Sequence, residues 1–198
     1  MKAVLVHRGS IAGLESHLAE LDIRRRALSR PAPHAPKSPV TAFVELWDER
    51  KRLSTAIARW PGEAGAWWVE ENLPAAYERN WPDGTQSPGV RLVSSVYRLA
   101  QHSREEFSRY WRNEHAAVAL SYTIPVWHYS QNVVVEALSP DANEDGFAVL
   151  HFRSAEDMQA RWANYPDEAK RGAEDAARFL DGSRAWTASM VETVWGQG

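Results

Sequence analysis

Short runs of alternating or continuous apolar residues mark strands at about 2–8, 22–30, 40–47 and 65–72, and again at about 90–99, 126–137, 145–152 and 186–194. Between them, charged segments with apolar residues at helical spacing predict helices at about 11–20, 49–60, 104–121 and 155–179, the last broken at Pro166. Leu53, Ile57 and Trp60 form the apolar stripe of one of these helices, and Met158, Trp162 and Tyr165 that of another. The series strand, helix, strand, strand, helix, strand therefore occurs twice. Ala42-Phe43-Val44-Glu45-Leu46-Trp47 reads like Gly146-Phe147-Ala148-Val149-Leu150-His151, and Lys2-Ala3-Val4-Leu5-Val6 like the strand that starts at Arg91.

Side chains alternate across a strand, so each of these strands has two faces of different chemistry. Ala148, Leu150 and Phe152 share one face, and Phe147, Val149 and His151 the other. In the earlier strand the same division sets Val44 and Leu46 against Phe43, Glu45 and Trp47. The aliphatic sets suit helices, and the mixed aromatic and polar sets suit a facing sheet. The expected fold is α+β: two ferredoxin-like β-α-β-β-α-β repeats whose antiparallel sheets pair into a pseudo-dimeric α/β barrel. The corresponding division is a degenerate repeat at 1–80, a Pro- and Gly-rich linker at 81–89 and a second repeat at 90–198.

Local signals sharpen the second half. Ser103-Arg104-Glu105-Glu106 has capping-box spacing, Ser154-Ala155-Glu156-Asp157 is a weaker version, and Gly182 is the expected stop of the last helix. In the first half Arg24-Arg25-Arg26 reads as a solvated strand or a charged sheet edge. Pro31 to Pro39, with His34 inside it, reads as a stiff hairpin loop.

Composition narrows the functional classes. The 23 basic and 26 acidic residues leave no electrostatic footprint for nucleic acid, and no RNA-binding aromatic signature is found. Without cysteine, thiol nucleophiles and Cys-ligated metals are excluded. No apolar run is long enough to span a membrane and the N-terminus lacks a signal-peptide pattern, so a cytoplasmic location is expected. His7, His17, His34, His102, His115, His128 and His151 show no tight metal-ligand spacing, and Gly-rich phosphate loops, zinc-protease and serine-hydrolase motifs are missing. No cofactor and no metal are expected. Ten tryptophans exceed ordinary usage; they suit core filling or an apolar cavity that holds rings.

From Val90 to Trp195 the chain resembles the EthD family, a branch of the dimeric α/β-barrel superfamily. The most specific stretch is Phe107-Ser108-Arg109-Tyr110-Trp111-Arg112-Asn113-Glu114-His115, behind the Ser103 cap. Weaker matches are Tyr129-Ser130-Gln131-Asn132, the strand from Asp145 to Asp157, and Phe179-Leu180-Asp181-Gly182-Ser183. The first half has no Tyr-Trp-x-x-x-His segment. EthD-like strands often carry Glu and Trp where Val149 and His151 stand here, and the first half has that pair as Glu45 and Trp47. The resemblance implies a ferredoxin-like fold pairing its sheets into a barrel, and links to breakdown of small organic compounds or to polyketide-type ring and dehydration chemistry. Haem-degrading monooxygenases and chlorite dismutases lie in the wider superfamily.

His115 is the sharpest catalytic candidate, on one helix side with Phe107, Trp111 and Tyr122; an imidazole there can move a proton near neutral pH. The competing reading is a packed histidine bonded to a carbonyl. Glu45 and His151, from equivalent strands, are expected to face the barrel interior, as acid and base or as a structural pair. Tyr110, Trp111, Tyr129, Asn132 and Trp47 are candidate substrate-binding residues, Trp111 being better suited to the core; the inward face of strand 126–137 is not legible. The expected function is cofactor-independent acid/base chemistry, of lyase, cyclase or dehydratase type, on a small apolar oxygen-bearing compound. The alternatives are a non-catalytic binding protein of a catabolic pathway and a haem- or oxygen-dependent monooxygenase. The expected partner is a small hydrophobic molecule, with neither nucleic acid nor membrane, in a monomer with an internal pseudo-dimer or in a homodimer.

Overall fold

The computed structural model describes residues 1–33 and 35–196; His34 lies outside them. Its eight strands are β1 (Lys2–His7), β2 (Arg25–Pro31), β3 (Ala42–Trp47), β4 (Ala64–Ala75), β5 (Val90–Val96), β6 (His128–Ala137), β7 (Gly146–Phe152) and β8 (Thr187–Trp195). They close into one barrel in the order β1-β3-β2-β8-β5-β7-β6-β4, with every neighbouring pair antiparallel. Within each half the order is fourth, first, third, second strand: β4-β1-β3-β2 and β8-β5-β7-β6. The halves join edge to edge along β2–β8 and β4–β6. Closure leaves no free sheet edge, which removes the main route to strand-mediated aggregation.

Arg24-Arg25-Arg26 therefore does not guard an edge, because β2 is paired on both sides. Arg26 turns its guanidinium to the carbonyls of Leu18, Ala19 and Ile23, where the helix α1 (Leu14–Glu20) ends. A cation there meets the negative end of the helix and satisfies carbonyls that have no intrahelical partner.

The alternating faces of the strands divide the molecule into an outer helical layer and a filled interior. Ala42, Val44 and Leu46 of β3 pack with Leu14 and Leu18 of α1 and with Leu53 of α2 (Arg50–Ala58). On β7, Leu150 and Phe152 pack outward against Met158 and Trp162 of α5 (Ala155–Ala163). Inward, Val4, Phe43, Trp67, Phe147, Val149 and Met190 make an apolar plug at one end of the barrel. The other end is ionic, built on Lys2, Glu45, Arg91 and Glu192, all 4% exposed or less. Eight strands enclose a space that side chains can fill, and here they fill it.

The second half carries the longer helical layer: α3 (Arg104–Tyr110), a π-helical turn (Trp111–His115), α4 (Ala116–Leu120), α5 and α6 (Pro166–Ala176). The Ser103 cap forms in full, with the hydroxyl accepting from the Glu106 amide at 3.1 Å and the Glu106 carboxylate from the Ser103 amide at 2.8 Å. Ser154 accepts from the Asp157 amide at 3.0 Å. Pro166 opens α6 at a position where its missing N–H is not needed. That helix stops at Ala176, six residues before the expected Gly182, because the chain turns there to bridge Leu180 to Arg98. Among the described residues no helix is long and apolar enough to cross a membrane.

Candidate active site in the helical layer

The residues singled out from sequence fall on two sides of the barrel wall. Glu45, His151, Asn132 and Trp47 point into the barrel, whereas Tyr110, Trp111, His115 and Tyr129 belong to the outer layer. Glu45 and His151, which with His115 are the catalytic candidates, do not share a site with it: alternation on β3 and β7 puts their side chains on the inner face of the sheet, and the sheet separates them from His115.

Inside, the polar groups are engaged with each other. Glu45 takes Lys2 Nζ at 2.7 Å on one oxygen and Arg91 at 2.6 Å on the other. Burial alone would raise its pKa, but Arg91 and Lys2 outweigh it and hold the carboxyl well below the usual carboxylate range. Such a group stays ionised and is no proton acceptor near neutrality. Arg91 also binds Glu192 at 2.7 Å and the Ser29 hydroxyl at 2.6 Å. Trp47 donates to Glu71 at 2.9 Å and lies under the cations of Lys2 and Arg25. Asn132 donates to Ser130 Oγ and to the Phe147 carbonyl, both at 3.1 Å. His151 donates from Nε2 to the Pro88 carbonyl at 2.8 Å, and burial, then Arg91, lowers its pKa to about 4 despite the opposing Glu192.

Outside, the π-helical turn is seated on the sheet. Trp111 packs against Gly146, where a Cβ would come within 2.5 Å of its ring. Its indole donates to the Tyr129 hydroxyl at 3.2 Å. The Trp111 carbonyl, which receives the wide bond from the Ala116 amide, also accepts from Gln131 Nε2 at 2.8 Å. Gln131 in turn bonds Tyr129 and Asn72. Trp111 and Tyr129, both 1% exposed, are thus anchors of the turn rather than cavity walls.

The turn ends on His115. Its Nδ1 is 2.7 Å from Asp175 Oδ2, and the Tyr110 hydroxyl donates to the other oxygen, Oδ1, at 2.7 Å. Asp175, on α6, is 8% exposed. A carboxylate accepts only, so the Nδ1 proton points at it, and in the neutral tautomer the lone pair is on Nε2. Nε2 has no partner among the described residues and is not sealed off from its surroundings. The bond to Asp175, then burial, raises the Tyr110 pKa and keeps the phenol protonated as a donor.

His115 borders a cleft of about 290 Å³ between α4, α5, α6 and the outer face of β7. Val118, Leu150 and Trp162 give it apolar walls, and Tyr122 and Arg161 are its other polar members. Tyr122 lies across Gly172, where a Cβ would stand 1.8 Å from the phenol oxygen, so only glycine at 172 admits this ring. The cleft volume sits near the lower end of the range for small-molecule sites, which suits a compound of one or two rings. Among the described residues no group of three or more His, Cys, Asp or Glu is arranged to hold a metal ion.

Asp175, Arg161, Gln131 and Tyr122 are the members of this site that sequence reasoning missed or left unassigned. One signal was present: Gly172, Asp175 and Phe179 recur at helical spacing, and an acid in a buried stripe needs a partner.

Residues 100–183 match the EthD domain. No curated protein matches the chain by sequence. Among solved structures, the chain resembles a "putative monooxygenase" of Lactobacillus acidophilus NCFM at 11% identity and a TM-score of 0.57, over 100% of this chain and 96% of that one. It resembles a "putative monooxygenase" of Fusobacterium nucleatum subsp. nucleatum ATCC 25586 at 8% identity and a TM-score of 0.60, over 100% and 94%. An anthrone oxidase-like protein aligns at 9% identity and a TM-score of 0.63, over 99% and 93%. At such identities the likeness is one of fold, and it spans the whole barrel. Tyr110, His115 and Asp175 all lie within the stretch that matches the EthD domain.

Proposed function

We propose that the protein performs cofactor-independent acid/base chemistry on a small, largely apolar, oxygen-bearing compound held in the cleft beside His115. The observation that carries this reading is the Tyr110–Asp175–His115 relay, with Nε2 of the imidazole free to meet a substrate. His115 Nε2 removes a proton from an acidic C–H or O–H of the substrate. Asp175 stabilises the imidazolium that forms and fixes its tautomer, and Tyr110 fixes Asp175. Return of the proton to another atom of the substrate completes an isomerisation, ring closure or loss of water.

Exchange of α-protons with deuterated solvent, followed by NMR on a two-ring enolisable ketone such as 2-tetralone, tests the first step. The protein should accelerate exchange, His115→Gln should abolish the acceleration, and Asp175→Asn should slow it roughly 10²–10⁴-fold. Exchange that persists unchanged in a folded His115→Gln protein would remove the assignment.

A second reading shares that first step. The names of the similar crystal structures, monooxygenase and anthrone oxidase-like, suggest oxygenation. A carbanion or enolate made by His115 would be oxidised by dioxygen as co-substrate, a methylene becoming a carbonyl with release of one water. An oxygen electrode separates the two, since only oxygenation consumes dioxygen in step with substrate.

The shared strand order of the halves supports reading them as two copies of one β-α-β-β-α-β unit. In the first copy the helical layer offers His17, which packs edge-on against Trp60, and its ring has no carboxylate partner among the described residues. Among the described residues only the second copy carries a relay, and one chain supplies the whole barrel, so a monomer suffices.

A further inference from the structure

We infer that the cleft binds its substrate as an anion, a small apolar carboxylic acid in its ionised form, with Arg161 as the counter-charge; this rests on the cleft being the substrate site proposed above. Arg161 projects from α5 into the wall of the cleft that His115 borders, and it is 2% exposed. Its guanidinium donates to the carbonyls of Ala119 and Ile124, and the Tyr122 ring covers it at 3.9 Å. Nε is buried with no partner, and no carboxylate lies within ion-pair distance among the described residues. The carboxylates nearby are committed elsewhere: Asp175 to Tyr110 and His115, Glu168 to the amide and hydroxyl of Thr123.

The contrast with Arg91 shows what this protein does with a buried arginine that has a purely structural task. Arg91 is 3% exposed and is held by two carboxylates and a hydroxyl. Its pKa is pushed up by Glu192 and Glu45 against the effect of burial, whereas burial pulls that of Arg161 down. Capping the end of α4 does not account for the difference. Arg26 performs the same task at the end of α1 from a partly exposed position, where water screens its charge. A buried cation without an opposite charge is held at a penalty that an incoming anion removes. In an apolar cleft the attraction is weakly screened. The same charge would stabilise the enolate or carbanion that His115 creates, so one group serves both selection and chemistry.

Isothermal titration with 2-naphthoate and its neutral counterpart 2-naphthamide tests the inference on the unmodified protein. The naphthoate should bind about tenfold or more tighter than the amide. Equal affinity, or no binding of the naphthoate, overturns the inference without any variant. Arg161→Met should erase the preference by weakening the naphthoate alone. Arg161→Lys, which keeps the charge should the Met variant fail to fold, should retain the preference. A lysine variant that folds and has lost the preference, or a methionine variant that keeps it, also overturns the inference. His115→Gln should leave the preference intact while abolishing 2-tetralone exchange. Loss of exchange without an anion preference sinks the substrate class alone; an anion preference with undiminished exchange sinks the acid/base reading alone.

Discussion

Gln131 is a neutral polar side chain at 0% exposure, and every bond it makes serves the turn that carries His115. It donates to the Trp111 carbonyl and the Tyr129 hydroxyl and accepts from Asn72. Gln131→Leu preserves approximate volume but leaves the buried Trp111 carbonyl and Tyr129 hydroxyl and the half-buried Asn72 amide without that bond. The expected loss of stability is about 1–3 kcal/mol, read from urea unfolding. A larger loss of exchange activity is expected than this destabilisation alone would give, because the π-helical turn loses the donor that holds its widened carbonyl and His115 drifts from Asp175. At the same scale, Glu45 shows how a residue type misleads. A carboxylate on a strand face looks like an acid or base until both of its oxygens are found occupied by Lys2 and Arg91.

Each helix of the second half is placed by its ends as much as by its stripe. The Ser103–Glu106 box fixes where α3 begins, and from there the chain must reach His115 in register with Asp175 on α6. Ser103→Ala should cost about 0.5–2 kcal/mol in unfolding free energy and leave the exchange rate of the folded protein nearly unchanged, since the cap lies at the far end of the helix from His115. A large loss of activity at full stability would show that the cap also sets the register of the turn. The π-helical geometry of residues 111–115 itself was not legible. The apolar pattern predicts a continuous helix at about 104–121, and the widened turn arises from Gln131 and from Trp111 wedged on Gly146, both contacts between the helical layer and the outer face of the sheet. Such turns recur at functional positions because they re-aim one side chain without ending a helix.

At the scale of the molecule, closure of the barrel gathers charge where little solvent can reach. His128 and His151 face each other across β6 and β7, pointing inward near Arg91. Burial and then, for His128, Arg91 lower its pKa to about 4; His151 shifts to the same value. Above the ordinary histidine value of 6.5 both states of the chain are neutral at these positions and stability is at its full value. As pH falls from 6.5 towards about 4, the unfolded chain takes up protons that the folded barrel refuses, so stability declines, by up to about 3 kcal/mol for each histidine. Glu45, whose pKa is depressed in the fold, adds a further loss below the ordinary carboxylate range. Denaturation curves across that window should show this slope, and the double variant His128→Asn, His151→Asn should flatten it between about 4 and 6.5. An unchanged slope in that variant would place the acid sensitivity elsewhere in the barrel.

Local pattern alone determined the strands and helices in their order, the outward aliphatic and inward mixed faces of β3 and β7, and the Ser103 cap, because periodicity and capping depend on residues a few positions apart. It also marked His115 within a stretch typical of one family. Only the tertiary structure decided what His115 works with. Asp175 is sixty residues away in the chain and Arg161 forty-six, and nothing local couples them. The same holds for Glu45, whose role is set by Lys2 and Arg91 on two other strands. Chemistry at a site depends on which charges share a low-dielectric space, and that is settled by how the sheet closes and which face each strand turns to the helices.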